Sequence, residues 1–160
     1  MKRTIQFMVV TSLLLCLAGT ANATDKPIQI ALFEPVQLFK SDTSVTGLRI
    51  NLIYGVNENV TGIDLGLVNK VQGDMKGIQW GAVNLVDGDF SGFQDGWVNI
   101  TKGKGVGLQA GLFNSAGAMS GLQLGFWNTT EDLYGLQIGL LNFNKSGDPI
   151  GFLPIINFSF

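Results

Sequence analysis

The chain has 160 residues, 46% of them hydrophobic, with 22 Gly, no His and a formal net charge of −2. Without His the commonest general base and metal ligand is missing, and Ser-His-Asp or Cys-His chemistry with it. An acidic balance without a basic block excludes nucleic acid as a partner, because neutralising phosphates takes a positive patch.

Residues 1–23 read as an export segment. Lys2 and Arg3 precede an apolar run from Val9 to Ala18, and Ala21-Asn22-Ala23 is a small-x-small cleavage site. The run is shorter than the roughly 20 apolar residues a spanning helix needs. The expectation is a signal peptide cleaved after Ala23. Cys16 follows Leu15, where lipid attachment wants a small residue, so the Cys leaves with the segment. The mature chain, residues 24–160, then has no Cys and neither disulfides nor thiol chemistry. Lys2 and Arg3 leave too, so 8 basic residues face 12 acidic ones and the mature net charge is −4.

Residues 24–46 read as an N-terminal cap, with an extended run PIQIALFEPVQLF over 27–39 in which Pro35 discourages further pairing. A repeat domain follows over 47–160. Six octapeptides carry one pattern: GIDLGLVN from Gly62, GIQWGAVN from Gly77, GFQDGWVN from Gly92, GLQAGLFN from Gly107, GLQLGFWN from Gly121 and GLQIGLLN from Gly135. Degenerate copies flank them, GLRINLIY from Gly47 and GFLPIINF from Gly151, giving eight units at 14–16-residue spacing. Apolar residues take places two, four and six; Gly, Gln and Gly take places one, three and five. A period of two predicts strands, and Gly twice per repeat argues against helix by about 1 kcal/mol each. The connections carry turn residues, as in Gln72-Gly73-Asp74 and Asp87-Gly88-Asp89.

Two all-β architectures satisfy the repeat. A parallel β-solenoid of about eight coils stacks equivalent residues about 4.8 Å apart. It gives a reason for Asn69, Asn84, Asn99, Asn114, Asn128 and Asn142 at one place of every repeat: each amide bonds the next in a ladder. Gln79, Gln94, Gln109, Gln123 and Gln137 supply a second ladder. The alternative is an eight-stranded antiparallel outer-membrane β-barrel, favoured by the alternation of Phe152, Pro154, Ile156, Phe158 and Phe160 up to the chain end. Uniformly short connections and scattered aromatics count against it. The Asn column favours the solenoid.

Motifs that carry chemistry are scarce. Gly103-Lys104-Gly105-Val106-Gly107 has the composition of a phosphate loop but lacks its GK[ST] ending and following helix. Asp74, Asp87 and Asp89 stand in turns, yet later turns carry Lys104 and Ala118 in their stead, so no calcium ladder is kept. The expectation is a non-catalytic chain with no cofactor, no metal site and no catalytic residue. One position departs from the pattern. Asp95 fills an apolar place, Trp97 is two residues on, and in a parallel stack Trp80 lies directly beside Asp95, its indole N–H in reach of the carboxylate. Trp80, Asp95 and Trp97 are the candidate binding patch, for a glycan or a peptide. The flat Gly-Gln face is the candidate surface for extended contact.

The motif Gly-apolar-Gln-apolar-Gly-apolar-apolar-Asn, the opening IQIALFEPVQLF and the ending INFSF together resemble a family of surface-repeat proteins from bacteria with outer membranes. The resemblance covers nearly the whole mature chain. It implies an exported protein of a diderm envelope, in the periplasm, the outer membrane or at the cell surface. It carries no settled activity and no site residue. The expected role is structural or binding, with an unknown protein or glycan as partner and association with the outer membrane as a further option.

Overall fold

The computed structural model describes residues 25–160. The export segment 1–23, its cleavage point after Ala23 and Cys16 lie outside the described residues. Strands follow one another through almost the whole described chain: β1 (Lys26–Phe33), β2 (Val36–Gln37), β3 (Val45–Asn57), β4 (Val60–Val71), β5 (Met75–Val86), β6 (Phe90–Asp95), β7 (Val98–Asn144) and β8 (Phe152–Ser159). From β3 to β7 each repeat pairs parallel with the next, like residue against like: Gly62 with Gly77, Gln79 with Gln94, Asn84 with Asn99. This is a β-solenoid of about six turns. The antiparallel barrel is not the architecture, and parallel register is what sets identical side chains one above another.

Within β4 and β5 the pairing lapses only at place six, between Gly66↔Gly81 and Val68↔Val83. Each coil therefore has two arms that meet at a corner around places five and six, and meet again at the turn before the next repeat. Glycine at place one is required by geometry. Gly92 has φ +136°, and a Cβ there would run into the carbonyl oxygen of Gly77 in the coil below.

The interior has two layers. Towards the corner it is polar: the Gln of place three and the Asn of place eight are fully buried. Towards the turn it is apolar. Place ten and the residue two before each repeat supply Val45, Val60, Val71, Met75, Val86 and Phe90 as one cluster, and Ala116, Met119 and Leu133 as another. Gly105 and Thr101 fall between the two clusters, and Met119 Sδ fills the space that a side chain at Gly105 would take, 2.9 Å from a Cβ there.

The ends close differently from the middle. At the N-terminus β1 pairs parallel with β3 and folds back on the two-residue β2. The unit from Gly151 is not an eighth coil. β8 runs antiparallel to the last coil, Ile138 opposite Ile156 and Gln137 opposite Asn157. Pro154 explains the terminal place of this strand, since a residue without an N–H cannot support a further ladder and belongs at an edge.

Candidate functional site

The two amide columns are continuous. Asn51 Nδ2 donates to Asn69 Oδ1 at 2.7 Å, and the chain of bonds passes through Asn84, Asn99, Asn114 and Asn128 to Asn142 at 2.8–2.9 Å per step. From Asn69 to Asn128 each Asn also donates to the place-four carbonyl of the next coil, as Asn84 Nδ2 does to Asp95 O at 2.8 Å and Asn99 Nδ2 to Ala110 O at 2.7 Å. Gly at place five makes room for this reach. A Cβ on Gly96 would lie 2.7 Å from Asn84 Nδ2. The Gln column donates the opposite way, from Gln137 down through Gln123, Gln109 and Gln94 to Gln79 at 2.7–2.8 Å.

The Gln column ends on an ion pair. Gln79 Nε2 donates to Asp64 Oδ2 at 2.9 Å, and Arg49 forks onto the same carboxylate through Nε at 2.7 Å and an Nη at 2.6 Å. Both side chains are 0% exposed. Arg49 and Asp64 stand in the Gln place of the first two units, a substitution visible in the sequence but not singled out there.

With the amides inside, the apolar places point outward. The Gly-Gln face is not the exposed surface; stacking draws Gln inward, where it bonds chiefly to the neighbouring Gln and also to backbone carbonyls, as Gln137 does to Phe143 O. Of the 24 residues at places two, four, six and seven of the six regular repeats, all are apolar except Asp95. Ile78, Trp80, Trp97, Leu112, Phe126 and Leu140 are exposed along this surface.

The candidate patch lies in the middle of it. Trp80 pairs with Asp95 in parallel register. The two residues and Trp97 line one open-sided recess of about 540 Å³ at the corner, with Leu65, Ala82 and Leu112. Large and small residues alternate diagonally: Trp80 stands beside Ala82, and Trp97 beside Asp95. The two indoles are 59% and 69% exposed. The expected Trp80–Asp95 bond is absent. Among the described residues the Asp95 carboxylate has no hydrogen-bond or ion-pair partner; the residue's bonded side-chain contact is Asn84 to its carbonyl.

The turn acids are engaged by the backbone. Asp74 Oδ1 accepts the amide of Asp89 at 2.9 Å, and Asp89 Oδ1 accepts that of Lys104 at 2.8 Å. The Gly103–Gly107 stretch is thereby part of the stack. Asp87 lies between Lys102 at 2.8 Å and Lys70 at 2.5 Å, and the hydrogen bonds from Lys102 and Lys70 hold its carboxyl below its usual value. Among the described residues no three acidic, His or Cys side chains converge as a metal site would require. No family model matches the chain, and no match was found among curated proteins or solved structures.

Proposed function

We propose that this chain is an exported, non-catalytic protein of a diderm cell envelope that acts by contact, in a structural or binding role. The observation that carries the reading is the outward apolar surface on a stack whose Asn and Gln amides bond from coil to coil inside. Such a surface suits a partner that is itself apolar: another envelope protein, or the lipid of the outer membrane. A glycan partner rests on the recess alone, where indole faces offer stacking. The sequence resemblance and the leader over residues 1–23 support export, and the lack of His and of mature Cys supports a non-catalytic role.

The test is fractionation of cells producing the full chain, followed by N-terminal sequencing and a carbonate-urea wash of the envelopes. The expected result is a chain beginning at Thr24, in the envelope fraction, released by the wash. A full-length cytosolic chain overturns export. Turnover of any member of a glycan panel overturns the non-catalytic role.

A second reading, peripheral contact with lipid, is favoured by one feature of the corner. The place-four carbonyls, which sit at the most apolar edge, are capped from inside by Asn amides. Backbone groups near hydrocarbon must be satisfied within the protein, and these are.

A further inference from the structure

We propose that the recess bounded by Trp80 and Trp97 binds an alkylammonium group, such as trimethylammonium, through the Asp95 carboxylate and the two indole faces. The inference deepens the contact reading and rests on it. Three observations converge. Asp95 is the single non-apolar residue among 24 outward places, so its charge interrupts a surface that is otherwise kept neutral. Its carboxylate is half-buried and unpaired among the described residues, while those of Asp64, Asp74 and Asp89 are each bonded within the stack. The walls are two exposed indoles at a recess of about 540 Å³, within the roughly 300–1,000 Å³ common for small-molecule sites.

Chemistry selects the ligand. A carboxylate draws a cation, and an indole face attracts one within about 6 Å of the ring. A trimethylammonium spreads its charge over methyl groups, so it loses little hydration on entering an apolar recess. A sugar would need several hydrogen-bonding groups around its ring. The floor and sides here are four glycines, whose backbone is engaged in the stack, together with Ala82, Leu65 and Leu112. An anion is repelled by Asp95.

The same cationic group occurs free or as a lipid headgroup, and the experiment separates the two. The mature chain is titrated with choline and with 3,3-dimethyl-1-butanol, its neutral isostere, following tryptophan fluorescence. Choline is expected to bind about tenfold more tightly than the isostere. Asp95→Asn, a change at an exposed edge of the corner, is expected to abolish that ratio with an unchanged melting temperature. Trp80→Leu and Trp97→Leu are each expected to weaken choline binding. Equal binding of the two probes, or a ratio that survives Asp95→Asn, overturns the proposal. Vesicles of phosphatidylcholine are then compared with vesicles of phosphatidylglycerol: an Asp95-dependent preference for the former assigns a lipid headgroup, and its absence beside choline binding assigns a free or peptide-borne amine. The contact reading fails separately, by the cell fractionation of the unsubstituted chain.

Discussion

Arg49 and Asp64 show what a ladder of amides needs at its end. Each Gln gives a proton to the residue below, so the lowest member must accept without donating in turn. A carboxylate does that, and a buried carboxylate needs a cation; Arg49 supplies it bidentately. Asp64→Asn leaves the guanidinium buried without a counter-charge, and should cost roughly 3–5 kcal/mol of unfolding free energy. The double variant Arg49→Gln with Asp64→Gln extends the amide column by two members and should recover most of that loss. Urea melts of the three proteins decide it, and a double variant weaker than Asp64→Asn sinks the argument. Asp87 is a milder case at the surface. Its carboxyl is held low by Lys102 and then Lys70, so its folded value lies below its unfolded one. The contribution is therefore complete above the unfolded value of about 3.9 and fades as pH falls through the folded value. Asp87→Asn should destabilise by at most about 1 kcal/mol at pH 7, and the gap should close in melts taken at progressively lower pH, as the carboxyl protonates.

At the scale of one coil, place five and place eight act together. Gly at five leaves a notch, and Asn at eight fills it, bonding both the next Asn and a carbonyl of the facing arm. Asn99→Ala removes an acceptor from Asn84, a donor from Asn114 and a donor from the Ala110 carbonyl at once. The expected loss is about 3 kcal/mol, since unsatisfied buried groups cost more than a bond is worth. Equilibrium unfolding checks the size; a loss under about 0.5 kcal/mol would mean that water replaces the amide. The columns were legible in the sequence because a fixed spacing of 14–15 residues sets like upon like in any parallel stack. Trp80 beside Asp95 followed from the same spacing. Which face lies inside was not legible, since alternation distinguishes two faces without orienting them. The answer depends on amides reaching one another across coils, a property of the assembled stack. The turn of β8 was hidden by its partial match to the repeat, though Leu153 in the Gln place, Pro154, Ile155 in the second Gly place and Phe158 in the Asn place all spoke against a further coil. The Arg49–Asp64 pair was hidden in plain view, as two charges in a column of Gln.

The stacked coils among the described residues form a rod about 30 Å long, from about six turns at about 4.8 Å each. Its amide columns run in opposite senses, Asn donating towards the C-terminus and Gln towards the N-terminus, so their dipoles oppose and the rod has no strong axial field from them. Its cross-section is amphipathic instead. Charged residues such as Asp74, Asp89, Lys104 and Glu131 gather at the turns, and apolar side chains gather at the corner. An edge of this kind either meets lipid or meets a second apolar surface. The two are separable by one pair of changes. Leu112 and Phe126 stand at place six on the corner, exposed, so Leu112→Glu with Phe126→Glu should leave the urea midpoint within the error of the measurement. If the edge meets lipid, the mature protein floats with vesicles on a density gradient and remains monomeric in detergent-free buffer, and the double variant stays at the bottom. If the edge meets another copy, the wild type sediments as an oligomer without vesicles and the double variant as a monomer. The internal capping of the corner carbonyls favours flotation, because a protein–protein interface tolerates water at such groups and hydrocarbon does not.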